Sequence, residues 1–408
     1  MKKVLNIEYG GIHAAYWMSY AIVASFASAF LLGRGYSNSE IGLIIAVGSM
    51  VAVFLQPMLA DIADRSKKIS LIELTEIVTV VLMVLTACSF IMQKASIGLS
   101  VVFVLMVAWD TALQPLFNSL AFKLEESGHE IKFGITRAMG SLAFSILCSF
   151  LGTLVEKFGI QILPISGEII LGMLLITLFF TKKHFKQACV ARDLKASKAN
   201  NGEAVAENLE EVEEINFSKF IKRNKLFVVV NIGVAGIFFS NAIFNNFMLQ
   251  MVENVGGNSA DMGRILSLMA LLEIPALFLF DTIQKKVSCS TLLKIGAISF
   301  TLKIFCAYIA TNVTMLYVAQ LFQPMAFGIF LPAMVRFIGE IMDKGEAVKG
   351  QALYTIMTTI ATIFASLLGG IILDVSGATM LLLVSTLLTG AGAVLLICII
   401  GKVKKKTI

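Results

Sequence analysis

Charge is what this sequence has least of. Only 15% of its 408 residues are Asp, Glu, Lys or Arg, against 57% that are hydrophobic, whereas a soluble domain carries roughly 25% charged residues. That deficit excludes an ordinary water-soluble enzyme. Six prolines and 31 aperiodic glycines argue against disorder or a fibrous repeat. The six cysteines, Cys88, Cys148, Cys189, Cys289, Cys306 and Cys398, form no C-x-x-C pair; they read as small apolar residues or free thiols, not as a metal site or disulfide framework. Histidine numbers three, and His129 and His184 fall outside the apolar runs. No H-E-x-x-H, P-loop or Gly-rich dinucleotide motif is present, so no catalytic residue, nucleotide site, metal or cofactor is expected. Alternation is missing too: runs such as 79-TVVLMVLTACSFIM-92 are not the strands of an outer-membrane barrel. The net charge of +6 sits in short clusters between apolar runs and marks no nucleic-acid surface.

What is present is apolar sequence in long blocks, with a mean hydropathy of +0.86. A spanning helix needs about 20 apolar residues. Such runs begin near Ile12, Ile41, Leu71, Gly98, Phe133 and Gln161, then near Leu226, Met262, Thr291, Val313, Gly350 and Ala378. The expectation is an all-α membrane protein with twelve transmembrane helices. Six lie in residues 1–182 and six in 223–408, the latter followed by a basic tail. Between them, residues 183–222 carry Lys183, Lys186, Arg192, Lys195 and Lys198, then the acidic run 203-EAVAENLEEVEE-214. Such a charged stretch reads as a solvated linker. Lys2 and Lys3 ahead of Ala27-Ser28-Ala29 mimic a cleaved signal peptide; the many later spans favour an uncleaved first helix.

Basic residues orient the chain. One side receives Lys2, Lys3, Arg65, Lys67, Lys68, Lys123, Lys132, the central segment, Lys285, Lys286, Lys344, Lys349 and the tail lysines; the other receives only Arg34, Lys94, Lys157 and Arg264. Both termini are therefore expected in the cytoplasm, with the chain multi-pass in a cytoplasmic membrane. The halves also echo one another. Glu40-Ile41-Gly42 answers Asp261-Met262-Gly263, Gln114-Pro115 answers Gln323-Pro324, and Lys132-Phe133-Gly134 answers Lys349-Gly350, at offsets of 221, 209 and 216 positions. Three matches in order support a duplication, the plan of secondary transporters with a solute site between two halves.

Four ionisable residues lie inside the apolar runs: Asp110, Arg137, Glu273 and Lys303. Unpaired, they would cost on the order of 10–14 kcal/mol in lipid, so they should pair or face water. Arg137, among Ala138, Gly140, Ser141 and Ala143, offers a planar fork to a solute or a bridge between helices. Asp110, with Gln114 and Asn118 on one helical face, is either a proton carrier or a charge partner. Glu273 precedes Pro275 midway along the eighth span, and Lys303 is midway along the ninth, so an ion pair between them is expected, static or proton-exchanging. His13, Tyr16, Trp17 and Tyr20 form an aromatic stripe that either stacks on a ring or serves interface anchoring and core packing. Asn241, Asn245, Gln320, Gln323 and the stripe Gln351, Thr355, Thr358, Thr362 add neutral hydrogen-bonding groups suited to an uncharged or weakly charged polar solute.

With these residues in view, the chain resembles the major facilitator superfamily. The loop 60-ADIADRSKK-68 is similar to that superfamily's signature G-x-x-x-D-[RK]-x-G-[RK]-[RK], with Ala60 and Ser66 at glycine positions and with Asp64 and Arg65 in the gating positions. The resemblance implies the major facilitator fold, two pseudo-symmetric six-helix bundles. Leu55-Gln56-Pro57, 133-FGITRAMG-140 and 217-FSKFIKRNKLF-227 look closest to the oligosaccharide:proton symporter branch, and 349-KGQALYTI-356 to a subgroup that also resembles nucleoside:proton symporters. The resemblance makes Arg137 the solute anchor, with Asn118 where the branch has a carboxylate, Phe144 at its stacking aromatic and Asn245 at a seventh-span aspartate. Gln323 and Ala326 stand where the branch has His-x-x-Glu, Lys303 matches a basic residue, Glu273 lies about one turn past the usual glutamate, and Thr358 replaces a lysine. The drug-antiporter motif of the fifth span is absent.

The resulting expectation is a monomeric, proton-coupled secondary transporter of a small polar organic solute, a saccharide or nucleoside, working by alternating access and needing no cofactor. Arg137, Asn118, Phe144, Asn245, Gln323 and Asp110 would bind solute, and Glu273, Lys303 or Asp110 would carry the proton. The rivals are an efflux antiporter for amphipathic compounds, for which 19 methionines and 30 phenylalanines offer an adaptable pocket, and a non-transporting scaffold or sensor.

Overall fold

Long apolar runs with few breakers satisfy their backbone groups internally only as helices. The computed structural model describes residues 2–66, 69–199, 217–342 and 344–403, and its elements are helices, with no strand among the described residues. They are α1 (Lys2–Tyr20), α2 (Ala27–Gly33), α3 (Asn38–Arg65), α4 (Leu71–Ile91), α5 (Ile97–Glu125), α6 (Phe133–Phe158), α7 (Ile162–Ala199), α8 (Phe217–Arg223), α9 (Lys225–Asn246), α10 (Met248–Asn254), α11 (Ser259–Gln284), α12 (Cys289–Tyr308), α13 (Val313–Ala319), α14 (Phe330–Ile341) and α15 (Lys344–Ile400). Large apolar side chains remain exposed along the spans, among them Phe54 at 77% and Phe278 at 62%, as a lipid-facing surface requires.

Among the described residues, ten helices are long and apolar enough to cross a membrane, and the bent pair Lys3–Ser25 with Ala27–Gly33 adds another. The last of the ten, Glu346–Ile400, has 55 residues. At 1.5 Å per residue it is far longer than a hydrocarbon core of about 30 Å. It is broken at Gly377, whose φ of 78° and ψ of 178° leave the helical region, so it holds two spans. The eleventh and twelfth runs of the sequence meet at that glycine.

Two boundaries differ from the sequence expectation. The first helix begins at Lys2 instead of near Ile12, because polar Asn6 and Glu8 interrupt hydropathy without interrupting helix geometry. The sixth continues to Ala199, well into the expected linker, since Lys, Arg, Gln and Ala are good helix formers. The acidic run 203–214 and the lysines of 67–68 and 404–406 lie outside the described residues.

Serine and asparagine set several starts. Ser70 and Glu73 form a reciprocal capping box on α4, as Asn258 and Asp261 do on α11, and Ser96, Ser288 and Asn312 cap α5, α12 and α13. Two spans depart from α geometry. A π turn, Ala21–Ser25, ends α1, and a 3₁₀ turn, Gln320–Phe322, followed by a π segment, Pro324–Ile329, divides α13 from α14. Pro324 supplies no amide hydrogen, which is one cause of the second break.

The described helices cluster into two units. The first comprises residues 1–26, 48–147 and 161–211; the second comprises 27–47, 148–160 and 212–408. In the first, Gly140 lets α6 close on α1: a Cβ there would stand 2.4 Å from Trp17 Cδ1. In the second, Gly233, Gly236 and Gly392 bring α9 and α15 into backbone contact, the small-residue packing that lipid favours. Phe238 anchors an aromatic cluster there with Phe300, Phe330 and Tyr354 at centroid distances of 5.9, 6.0 and 6.0 Å.

That second unit also contains two matched crossings. Gly42 and Gly370 put α3 against α15, where an added Cβ would meet Ser366 O at 2.1 Å and Asn38 O at 2.2 Å; Gly152 and Gly263 do the same for α6 and α11, at 2.1 Å from Ser259 O and 2.4 Å from Cys148 O. Each crossing is tied by an acid that accepts from the first residues of the facing helix. Asp374 accepts from the Asn38 amide at 3.1 Å, the Asn38 side chain at 2.9 Å and the Ser39 amide at 2.7 Å. Glu156 accepts from the Ser259 amide at 2.9 Å.

Candidate functional site

The polar groups inside the spans gather in two places, one in each unit. In the first, α1 and α6 bring Arg137 over Trp17, with its guanidinium carbon 4.0 Å from the ring centroid. An Arg137 nitrogen donates to Ser141 Oγ at 3.2 Å, one turn along the same helix. Trp17 in turn lies 5.4 Å from Tyr16 and 5.2 Å from Tyr20, and Tyr16 packs on Phe117 at 5.5 Å. Aromatic faces and a delocalised cation attract one another through the ring quadrupole, most strongly where water is excluded.

Tyr16 and His13 are each only 1% exposed. His13 and Tyr16 thus pack in the interior of the unit, while Trp17 and Tyr20 are half-buried. His13 meets Tyr9 edge-on at 4.8 Å, and Tyr9 donates its hydroxyl to Phe117 O at 3.0 Å.

Asp110 of α5 is also 1% exposed and accepts from Ser19 Oγ at 2.9 Å. Its hydrogen-bond partner is a neutral hydroxyl immediately before the π turn of the first span. One carboxyl oxygen can accept from that hydroxyl whether or not the other carries a proton. Asn118 and Phe144, expected beside Arg137, are half-buried on α5 and α6.

In the second unit the expected Glu273–Lys303 pair takes a different form: an amide stands between the two. The Lys303 ammonium donates to Gln323 Oε1, and Gln323 Nε2 donates to Glu273 Oε1 at 2.6 Å. A glutamine can serve both ends at once, because it carries an acceptor and a donor on one plane. Lys303 is 1% exposed and stands 4.2 Å from the Phe244 ring centroid. The relay joins α11, α12 and the start of the π segment, and Gly328 of that segment holds it against α11, since a Cβ there would stand 2.8 Å from that of Ala276.

Of the other sequence candidates, Asn245 is half-buried, while its neighbour Asn246 donates to Ser366 Oγ at 2.8 Å. Thr358 and Thr362 donate to their own helix, at Thr355 O and Thr358 O. Arg65 turns back to Asp61 at 2.5 Å, and Asp64 is exposed near the end of α3. Three residues escaped sequence reasoning. Ser19 and Ser141 are hydroxyls too common in spans to stand out, and Glu168 was hidden by its place early in the sixth run. One Glu168 oxygen is buried without a hydrogen-bond partner. Among the described residues no group of three His, Cys, Asp or Glu side chains is placed to hold a metal ion.

Ionisable groups tied to amides, hydroxyls and rings inside a polytopic helical fold define a multi-pass membrane protein of the secondary transporter class. The chain belongs to the MFS_1 like family, whose profile matches residues 9–384. It is 24% identical over 360 residues to the "Probable 3-phenylpropionic acid transporter" of Escherichia coli K12, covering 86% of this chain and 88% of that one. It is 22% identical over 353 residues to the "Uncharacterized transporter YwbF" of Bacillus subtilis 168, covering 83% and 79%. Among solved structures, the nucleoside transporter NupG superposes with a TM-score of 0.72 at 15% identity, over 99% of each chain. An auto-inhibited peptide transporter of the POT family superposes with a TM-score of 0.71 at 8% identity, over 99% of this chain and 98% of that one. At those identities the likeness establishes the major facilitator fold.

Proposed function

We propose that the chain moves a small polar organic solute, of the saccharide or nucleoside class, together with protons and by alternating access. The observation that carries this reading is the Lys303–Gln323–Glu273 relay. A buried ammonium and a carboxyl joined through one amide can exchange a proton for a rearranged hydrogen bond, and in lipid such groups are expensive enough to mark function. Asp110 on Ser19 offers the other unit a second proton site. Arg137 with Ser141, and Asn118, Phe144, Asn245 and Gln323 around the two polar centres, are the solute-facing groups in this reading. The named nucleoside carrier of the same fold and the named aryl-acid carrier among the relatives support an organic solute.

The protein acts as a monomer in a cytoplasmic membrane, both termini inside, with the proton gradient as its energy source and no cofactor. The basic bias of one set of loops supports that orientation. Uptake of labelled uridine, adenosine and lactose into proteoliposomes with and without an imposed pH gradient is the test. Accumulation that rises with the gradient is expected; uptake indifferent to it rules out proton coupling. Arg137→Ala binding solute as well as wild type would remove the anchor.

A further inference from the structure

The α1 stripe contains more hydrogen-bonding capacity than the protein uses. Both ring nitrogens of His13, the hydroxyl of Tyr16 and the indole nitrogen of Trp17 are buried without a hydrogen-bond partner. Native interiors leave few such groups, and each calls for an explanation. Tyr9, one turn before His13 on the same helix, shows the ordinary outcome, because its hydroxyl finds Phe117 O at 3.0 Å. The orphaned atoms belong to residues 13, 16 and 17, which share one face of α1. Tyr16 lies 5.4 Å from the indole, on which the Arg137 guanidinium lies at 4.0 Å.

We propose that Trp17 is the stacking platform of the solute site, and that the solute carries a heteroaromatic ring with acceptors on its edge, as a nucleoside does. This rests on the transport reading above and selects within it. Three observations point the same way. First, the indole already holds a flat, delocalised group against its face, and a planar ring replaces a guanidinium there like for like; a puckered pyranose does not. Second, Trp17 Nε1 and the Arg137 fork only donate, while Tyr16 Oη and His13 take either role, so the row favours carbonyl oxygens and ring nitrogens over the hydroxyl donors of a sugar. Third, the Asp110 carboxyl, which could accept from sugar hydroxyls, has one of its two oxygens taken by Ser19 at 2.9 Å, which leaves the other as its acceptor for them. Gly140 fits the same role, since a side chain there would displace the indole. The platform therefore lies on the first span, whereas the family resemblance pointed to Phe144 of the fifth.

The two tryptophans of the chain are Trp17 and Trp109, so Trp109→Phe leaves a single fluorophore at the proposed platform. In that variant, reconstituted in liposomes, uridine or adenosine should quench the emission saturably, whereas lactose should not. Base–aromatic stacking predicts that Trp17→Leu raises the nucleoside Kd by roughly 5- to 100-fold, and that Trp17→Phe recovers most of the loss. Equal affinity in Trp17→Leu overturns the proposal. So does quenching by 3-phenylpropionate with none by either nucleoside. Gradient-driven uptake of lactose with silent Trp17 emission overturns this inference and leaves the transport reading intact. Absence of uptake of any solute by the wild type overturns both.

Discussion

Lys303 is almost wholly buried in α12. It is tolerated because the Gln323 carbonyl and the Phe244 ring take over from water as its solvent. Gln323 is satisfied only while both neighbours are present. Lys303→Met should therefore lower thermal stability in detergent, by about 1–3 kcal/mol, and adding Glu273→Gln should restore part of that loss by removing the carboxylate left uncompensated. A double variant less stable than Lys303→Met would contradict the relay. Asp110 gives a cleaner separation of structure from coupling. Asp110→Asn keeps an acceptor for Ser19 and loses only the proton. The fold should be unchanged by thermal unfolding while the pH dependence of uptake flattens; unaltered pH dependence would move the carrier elsewhere.

At the scale of elements, the repeated triplets Glu40-Ile41-Gly42 and Asp261-Met262-Gly263 acquire a physical meaning. Each acid closes the start of its own helix: Glu40 accepts from the Ser37 amide at 2.8 Å, and Asp261 pairs with Asn258 in a capping box. Each glycine, two residues on, lets the backbone of another helix approach, Ser366 for Gly42 and Cys148 for Gly263. Gly42→Ala forces a Cβ into a carbonyl and should destabilise by about 1–3 kcal/mol in thermal unfolding; wild-type stability would show that the crossing is loose. Asp374→Ala removes the acceptor of three donors at the start of α3. Loss of a cap costs about 0.5–2 kcal/mol and should appear as faster hydrogen exchange at the amides of Asn38 and Ser39. The triplets were visible in the sequence as a periodic echo, but the partners were not. Asp374 lies 336 positions from Asn38, and no local pattern encodes that contact.

For the whole molecule, what hydropathy can report is what the sequence made legible. Leu71, Phe133, Val313 and Ala378 open helical stretches where apolar runs open, because lipid leaves the backbone no alternative to helix. The extension of α7 to Ala199 was not legible, since charged helix formers look like linker to a hydropathy window. In the site, the four buried ionisable residues stood out by their cost in lipid. Their partners Ser19 and Ser141 did not, because a hydroxyl carries no such penalty; Gln323 was visible as a candidate solute ligand, but its pairing with Lys303 and Glu273, 20 and 50 positions away, was not. The proposed coupling requires that protons held by this network move with the solute. The most direct measurement follows the lumen pH of proteoliposomes, with trapped pyranine, as uridine or lactose is added outside without an imposed gradient. The account predicts acidification that tracks solute entry and vanishes when Asp110→Asn and Glu273→Gln are combined. Solute entry with no change in lumen pH would contradict it.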